Sequence, residues 1–312
     1  MAQAGMGGGT TAGSGMGGES GGSSPGAPEE PVQPIQRAGR YVLEFADIIF
    51  ECDPALGARV TAFSLDGYNF LTGPEIDADN HGSTFWPSPQ SDWGWPPPEQ
   101  LDRAPFQAAV NGAAIELVGQ PSAQLGLRFS KRFSADPAKG AVVLQYSIEN
   151  TGASSRSVAP WEVSRVHPNG LTFFPAGQAR PGSGSFSPLQ TLDAAGATWF
   201  AHDPASLSGD GKLFADSSRG WLAHLAGDAL FIKSFPDVGA AEQAPGEAEI
   251  EIYASRAYVE VEQQGPYAPL ASGETASWTV RWYARKLPAG LDASPGSQAL
   301  LDLVEQTIAG GG

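Results

Sequence analysis

An aromatic and proline-rich stretch, residues 80–100, holds the side chains that point most directly to a function. Its sequence, NHGSTFWPSPQSDWGWPPPEQ, contains three of the eight tryptophans of the chain and five prolines. Proline at this density breaks helices and sheet ladders, so a shaped loop is predicted. Flat aromatic rings beside short polar groups suit a ligand with an apolar C–H face and a rim of hydroxyls, as a sugar has. The predicted platforms are Trp86, Trp93 and Trp95, and the predicted hydrogen-bond partners are Ser88, Gln90 and Asp92.

Other kinds of catalytic or metal site have little support in the sequence. The four histidines are scattered and form no His-x-His or His-x-x-x-His pair, so a transition-metal site is not expected. The acidic run SGDGKLFAD at residues 208–216 has oxygen ligands for calcium, but its Asp-Gly pair is first of all a turn signal. The run GSGSF at residues 182–186 lies in a predicted loop, so it does not indicate a nucleophilic serine. We therefore expect no metal and no cofactor.

Charge and cysteine content narrow the class of protein further. The formal net charge is −16 and no basic cluster is present, which excludes nucleic acid as a partner because its phosphates would be repelled. The single cysteine, Cys52, rules out an intrachain disulfide, and its place in an apolar run predicts buried packing rather than nucleophilic catalysis.

The N-terminal residues 1–35 differ in composition from the rest of the chain. The first thirty contain eleven glycines and, apart from three methionines, no aliphatic side chain larger than alanine. Such a segment has too little apolar surface to offset the entropy of ordering, so we expect a flexible tether. Similar tethers follow the lipidated cysteine of bacterial surface lipoproteins. We therefore expect an extracytoplasmic protein, at the cell surface or in the periplasm, with a lipidated N-terminus that is not present in this chain; a cytoplasmic protein is the alternative.

From about residue 36 the sequence has the pattern of short β-strands separated by Gly, Pro, Asn and Asp. Residues 41–52 and 59–65 predict a first pair of strands, and Asp66-Gly67 predicts a turn after the second. Further strands are predicted at residues 114–118, 125–133, 141–149, 157–166, 171–174, 220–226, 229–235, 247–254, 257–263 and 275–284. So many strands with almost no helix between them indicate one large all-β antiparallel sandwich over residues 36–290.

A single helix is predicted near the C-terminus. In SQALLDLVEQTIA, residues 297–309, one face carries Leu300, Leu301, Val304 and Ile308, and glycine follows as a stop. Residues 291–312 are therefore interpreted as a C-terminal helix and tail.

Three motifs in the predicted sandwich resemble a known family. HGSTFWPSPQSDWG at residues 81–94 is similar to the glycine-led Trp-Pro loop of hexose-phosphate mutarotases. VSRVHPNGLTFFP at residues 163–175 resembles the segment that carries the catalytic histidine of aldose 1-epimerases. YVEVEQQGPYAPLASGETASWTVRW at residues 258–282 resembles their C-terminal segment, in which a glutamate closes a strand. The ordered trio implies the galactose mutarotase-like β-supersandwich, in an uncharacterised bacterial branch of that superfamily.

The resemblance also implies a mechanism and its residues. Mutarotation opens a pyranose ring, which requires one group to protonate the ring oxygen and another to remove the anomeric proton. By resemblance His167 is the acid and Glu262 the base. Glu260 is the alternative base, since alternate residues of a strand point the same way. The same alternation puts Arg165 and Trp161 on the side of His167, and Arg165 is expected to bind substrate.

The sequence departs from the family at several places. Ser83, Thr84 and Phe85 stand where mutarotases usually carry an arginine or asparagine, and His81 is the residue expected to compensate. The substrate-binding aspartate of the family has three alternatives here, Asp92, Asp203 and Asp216.

Two functional hypotheses follow. The first is a carbohydrate-active, mutarotase-like protein, either an aldose epimerase or a sugar binder without turnover. The second is a surface-tethered structural or adhesion module whose sandwich only presents loops. A small-molecule carbohydrate is the expected partner and a monomer the expected state. Five lysines in a strongly acidic chain disfavour a phosphosugar.

Overall fold

The computed structural model describes residues 30–178 and 184–310. Most of the predicted tether, residues 1–29, lies outside this range, as do the first two residues of GSGSF. None of the helices in the described part of the chain is long and apolar enough to span a bilayer.

The described residues form mainly β-strands. The first eleven strands are β1 (Ile35–Arg37), β2 (Arg40–Phe45), β3 (Ile48–Asp53), β4 (Arg59–Leu65), β5 (Tyr68–Asn69), β6 (Ser83–Ser88), β7 (Gln107–Asn111), β8 (Ala114–Val118), β9 (Leu127–Asp136), β10 (Ala141–Asn150) and β11 (Arg156–Val166). The next eleven are β12 (Leu171–Pro175), β13 (Ser187–Pro188), β14 (Leu192–Ala194), β15 (Ala197–Ala201), β16 (Gly211–Ala215), β17 (Trp221–Ala226), β18 (Ala229–Ser234), β19 (Ile250–Ala254), β20 (Val259–Gln264), β21 (Ala268–Leu270) and β22 (Thr275–Lys286). The α-helices are α1 (Glu99–Asp102) and α2 (Gln298–Ala309).

These strands build two large sheets. The twelve-stranded sheet runs β1-β2-β3-β4-β6-β11-β20-β19-β16-β13, with β5 paired to β4 and β21 to β11. The ten-stranded sheet runs β14-β15-β12-β17-β18-β22-β10-β9-β8-β7. Neighbouring strands are antiparallel, apart from β13 and β16, which are parallel. The predicted all-β antiparallel sandwich is therefore confirmed.

The core lies between the two sheets. Phe50 and Phe63 of the large sheet contact Trp282 of the other, with ring centroids 6.0 and 5.2 Å apart, and all three are fully buried. Cys52 belongs to the same core, where burial raises the pKa of its thiol to about 12. A thiol that stays protonated is a poor nucleophile, so the expected packing role is confirmed.

The C-terminal helix α2 covers the outer face of the ten-stranded sheet. Leu300, Leu301 and Val304 are buried there in a cluster with Trp199 and Trp221. At its N-terminus the Ser297 hydroxyl accepts a hydrogen bond from the backbone N–H of Leu300 at 3.2 Å. Gly310, with φ of 83°, ends the helix in the left-handed conformation that favours glycine.

Two predictions about local structure were wrong. Residues 41–52 form two strands rather than one, because Ala46, with φ of 45°, turns the chain back between β2 and β3. The predicted turn at Asp66-Gly67 is confirmed, and both of its residues have positive φ.

The second error concerns residues 80–100, which do not form a loop throughout. Residues 83–88 form β6, a central strand between β4 and β11. Its Pro87 lies directly opposite Pro160 of β11. A residue that exchanges no hydrogen bonds with the strand it faces directs its N–H to the neighbour on the other side, and on that side β4 pairs with β6 only at Ser83. Pro87 therefore replaces no donor of the ladder. Gly82 starts the strand with φ of 64°, where a Cβ atom would lie 2.3 Å from the carbonyl oxygen of Val60.

Candidate functional site

A cavity of about 350 Å³ opens on the face of the twelve-stranded sheet that points away from the core. Its aromatic lining comes from Trp86, Trp95, Trp161, Phe186, Tyr253 and Tyr258. Its polar lining comes from Asn80, Gln90, Lys212, Glu260 and Glu262. The cavity therefore combines flat apolar walls with charged and amide groups.

Strand register places these side chains together. In the pairing of β11 with β20, Trp161 faces Gln264, Val163 faces Glu262, and Arg165 faces Glu260. Side chains of facing residues point to the same side of a sheet, and residues two apart do so too. Three more pairs of facing residues on neighbouring strands place their side chains on this same side of the sheet: Trp86 with Trp161, Glu251 with Glu262, and Lys212 with Tyr253.

Glu262 lies at the floor of the cavity, which is formed by Trp161, Glu260 and Glu262. Its side chain is fully buried, and Oε2 accepts a hydrogen bond from Nε1 of Trp161 at 2.9 Å. The other oxygen, Oε1, has no hydrogen-bond partner and lies 3.7 Å from Nζ of Lys212. Burial raises the pKa of Glu262 to about 7, although Lys212 acts in the opposite direction. This carboxyl group can thus gain or lose a proton near neutral pH.

Lys212 connects Glu262 to a second buried carboxylate. Its Nζ lies 2.6 Å from Oε2 of Glu251 and stands over the rings of Trp161 and Phe214, 5.5 and 5.0 Å from their centroids. Burial disfavours the charge of Lys212, but Glu262 and Glu251 outweigh this effect and raise its pKa. Lys212 is therefore a permanent cation beside Glu262.

Arg165 holds the second floor carboxylate. Its side chain is fully buried, with Nε donating to Oε1 of Glu260 at 2.9 Å and Nη1 donating to Oγ1 of Thr84 at 3.0 Å. The guanidinium group lies 5.0 Å from the centre of the Trp86 ring. Arg165 thus fixes Glu260 and Trp86 from behind the cavity lining.

Trp86 is the centre of a cluster of four tryptophans. Its ring contacts those of Trp93, Trp95 and Trp161 at centroid distances of 5.8, 5.9 and 5.5 Å. Its Nε1 donates to Oδ1 of Asp102 at 2.8 Å. Trp93 is buried behind the lining, with Nε1 donating to the carbonyl oxygen of Pro87. The predicted aromatic platforms therefore divide into Trp86 and Trp95 at the cavity and Trp93 in its support.

His167 is not among the residues that line the cavity. It follows the last residue of β11, and its ring packs 6.2 Å from that of Tyr68. Val163, the residue facing Glu262, precedes it by four residues, or about 13 Å of extended chain. Of the predicted acid–base pair, the cavity lining therefore contains Glu262 and not His167. Trp161, an indole that cannot titrate, is the residue of β11 that contacts Glu262.

The other predicted polar residues have different surroundings. Gln90 lines the cavity, whereas His81 is buried beside Arg59 and its Nδ1 lies 3.1 Å from the carbonyl oxygen of Asp77. Burial, followed by the charge of Arg59, lowers the pKa of His81. None of the three alternative aspartates lines the cavity: Asp92 pairs with Arg156 at 3.2 Å, Asp203 is exposed, and Asp216 accepts from Gln243.

Sequence reasoning missed Lys212, Tyr253, Tyr258, Phe186 and Asn80. Lys212 lies in SGDGKLFAD, which was interpreted as a turn and not as a strand. In the sequence, Lys212 is only a single lysine beside the apolar residues of a short segment. Its place in the site follows from the pairing of β16 with β19, which no local pattern predicts. The place of Glu251 in the site was not predicted either, because a glutamate at an alternating strand position is usually exposed to solvent.

Solved structures of low sequence identity share this architecture. A TPR-domain containing protein from Parabacteroides distasonis superposes with a TM-score of 0.60 at 15% identity. The match covers 82% of this chain and 49% of that protein, so this chain spans about half the length of that protein. A galactose mutarotase related enzyme from Lactobacillus acidophilus superposes with a TM-score of 0.55 at 10% identity. The match covers 80% of this chain and 98% of that protein. A galactose mutarotase-like protein from Lactobacillus casei superposes with a TM-score of 0.53 at 12% identity. The match covers 79% of this chain and 100% of that protein.

The fold is thus that of the galactose mutarotase-like proteins, as the three sequence motifs implied. Identities this low establish the fold alone. Within that class, the chain belongs to the family described as a domain of unknown function, DUF4380, whose model matches residues 88–285. No curated protein matches the chain in sequence.

Proposed function

We propose that this protein binds a pyranose sugar in the cavity of the twelve-stranded sheet. The observation that carries the proposal is the unpartnered Oε1 of the buried Glu262, placed among the rings of Trp86 and Trp161. A buried acceptor without a partner is costly, and a sugar hydroxyl supplies the missing donor. The half-buried ring of Tyr253, which also lines the cavity, supplies the apolar surface that the C–H face of a pyranose needs.

The charges of the described site favour a neutral or amino sugar. The two cations, Lys212 and Arg165, already pair with the acidic side chains Glu251, Glu260 and Glu262. Gln264 adds a buried acceptor, Oε1, that has no partner. Such a site offers acceptors to hydrogen-bond donors, and both of its cations are already engaged, which disfavours a phosphate or carboxylate on the sugar.

Binding of free sugars, measured by saturation-transfer NMR and calorimetry, tests this proposal. The probes are glucose, galactose, mannose and glucosamine, with glucose 6-phosphate as the charged control. We expect a neutral or amino sugar to bind, glucose 6-phosphate not to bind, and Glu262→Gln to weaken binding at least tenfold. A folded protein that binds none of the four uncharged or amino probes would contradict the proposal and favour the structural or adhesion module.

A second candidate function is interconversion of the anomers of the bound sugar. It is favoured by the place of Glu262 in the cavity lining, with Oε1 free of hydrogen bonds and 3.7 Å from Nζ of Lys212. Burial raises the pKa of Glu262 to about 7, and a general base works best when its pKa is close to the working pH. The Lys212 ammonium, 3.7 Å from Oε1, would stabilise negative charge that develops on the opening ring. Glu262 would take the proton of the anomeric hydroxyl while the bond between C1 and the ring oxygen breaks, and a solvent water beside the Lys212 ammonium would give the ring oxygen its proton. The reverse transfers would close the ring.

Polarimetry of freshly dissolved sugar distinguishes turnover from binding. If the protein is an epimerase, Glu262→Gln should abolish the acceleration, since a positioned base contributes roughly 10² to 10⁴ in rate. His167→Asn should leave the rate within twofold, because His167 lies outside the cavity lining. A large loss of rate in His167→Asn would instead support the acid role implied by the family resemblance.

A further inference from the structure

The mouth of the cavity carries one exposed indole ring. Trp95 is 58% exposed, whereas each of the seven other tryptophans is at most 8% exposed. Phe186, which also lines the cavity, is 42% exposed. Large aromatic rings left in water at the rim of a binding site commonly mark a contact surface for a ligand.

We propose that the cavity receives the terminal residue of a longer saccharide and that Trp95 binds the next sugar residue outside it. This inference rests on the proposed sugar-binding function and names its substrate class, an oligosaccharide rather than a free monosaccharide. The outer subsite consists of Trp95 and Phe186.

The geometry of the two indole rings supports a second subsite. Trp86 is buried in the cavity wall, and the plane of Trp95 stands at 81° to it, with centroids 5.9 Å apart. One flat sugar ring cannot stack on two faces that are nearly perpendicular. Trp86 is only 4% exposed, so a sugar residue that stacks on the exposed face of Trp95 lies outside the cavity wall.

The loop that carries Trp95 is built to hold the ring in place. Trp95 is followed by Pro96, Pro97 and Pro98, the last two of which are buried. Proline limits the conformations of the free loop, so little entropy is lost when a ligand stacks on the indole. The half-buried Gln90, on the same side of the loop, lines the cavity and supplies an amide for sugar hydroxyls.

Matched monosaccharides and oligosaccharides test this subsite. A glycan array carrying both selects the probe, and calorimetry then compares that oligosaccharide with its own terminal monosaccharide. We expect the oligosaccharide to bind at least about tenfold more tightly, which corresponds to about 1.4 kcal/mol. Trp95→Ala should remove this advantage, so that the variant binds the oligosaccharide no more tightly than the monosaccharide.

The control is Leu192→Ala, which removes an exposed apolar side chain, 49% exposed, from the edge strand β14 of the other sheet. It should change neither affinity. If the oligosaccharide binds no more tightly than the monosaccharide, or if Trp95→Ala weakens both equally, the outer subsite is wrong and the proposed function stands. If folded wild-type protein binds no saccharide on the array, the proposed function fails and the subsite fails with it.

Discussion

The indole Nε1 of Trp161 donates a hydrogen bond to Oε2 of Glu262 over 2.9 Å at the floor of the cavity. This bond satisfies one carboxylate oxygen and leaves Oε1 without a hydrogen-bond partner, 3.7 Å from Nζ of Lys212. The donor cannot change its protonation state near neutral pH. Two buried acids next to Lys212 can, Glu251 and Glu262, and burial raises the pKa of both. Glu262 is the one that lines the cavity, so we expect the pH dependence of binding to follow Glu262.

Sugar binding should tighten as the pH rises through about 7. Below that pH Glu262 is protonated, and its capacity to accept a hydroxyl proton is reduced; above it the carboxylate is free to accept. Calorimetry between about pH 5.5 and 8.5, which extends roughly 1.5 units to either side of the pKa of Glu262, should show affinity rising and then levelling. Glu262→Gln should remove this pH dependence. An unchanged profile in that variant would assign the titration to another group.

Trp161→Phe should move the midpoint of that profile to higher pH. The substitution removes a hydrogen bond that favours the ionised form of Glu262, and a bond to a charged group is worth enough to shift the midpoint by about one pH unit. The control is Trp93→Phe, whose indole donates to the carbonyl oxygen of Pro87 and not to Glu262. A midpoint that is equal in both variants would show that the Trp161 bond does not set the pKa.

The strands with clear alternation could be predicted from sequence. Residues 141–149 and 275–284 were placed to within two residues at each end, because alternate residues of β10 and β22 pack into the core on one face and meet solvent on the other. The helix α2 was predicted with its cap and its glycine stop for the same kind of reason, a periodic apolar face between recognised end signals.

β6 could not be predicted, and neither could the full site. Pro87 is normally evidence against a central strand, and it is tolerated here because the neighbouring strand β4 pairs with β6 only at Ser83. Glu262 was recognised through a motif, but its contacts with Trp161 and Lys212 depend on pairings between strands far apart in sequence. Local pattern contains no information about which strands become neighbours.

Arg165→Leu should destabilise the protein by about 3 kcal/mol. It removes the guanidinium that binds Glu260 and packs on Trp86, and a buried ion pair that loses one partner leaves an uncompensated charge. Arg37→Leu is the matched control, because its pair with Glu44 has side chains 55% and 45% exposed and should contribute no more than about 0.5 kcal/mol. Urea unfolding measures both. Equal losses would show that the Arg165 pair is effectively solvated.

Lys131→Met should flatten the pH dependence of stability between about pH 7 and 10. The Lys131 ammonium is buried, with Nζ donating to the carbonyl oxygens of Gly57 and Ala58, and burial lowers its pKa from 10.5 to about 7. In this window the unfolded chain binds a proton that the native lysine does not, so native stability rises with pH, by at most about 1.4 kcal/mol per pH unit. Below pH 7 both states are protonated and the contribution is constant.

The measurement is the difference in free energy of unfolding between wild type and variant at several pH values, which cancels the other groups that titrate in the window. Lys139→Met, at an exposed lysine, is the control and should give a difference that does not vary with pH. If the difference for Lys131→Met is also constant from pH 7 to 10, native Lys131 remains protonated throughout, and the hydrogen bonds to Gly57 and Ala58 outweigh the cost of burying its charge.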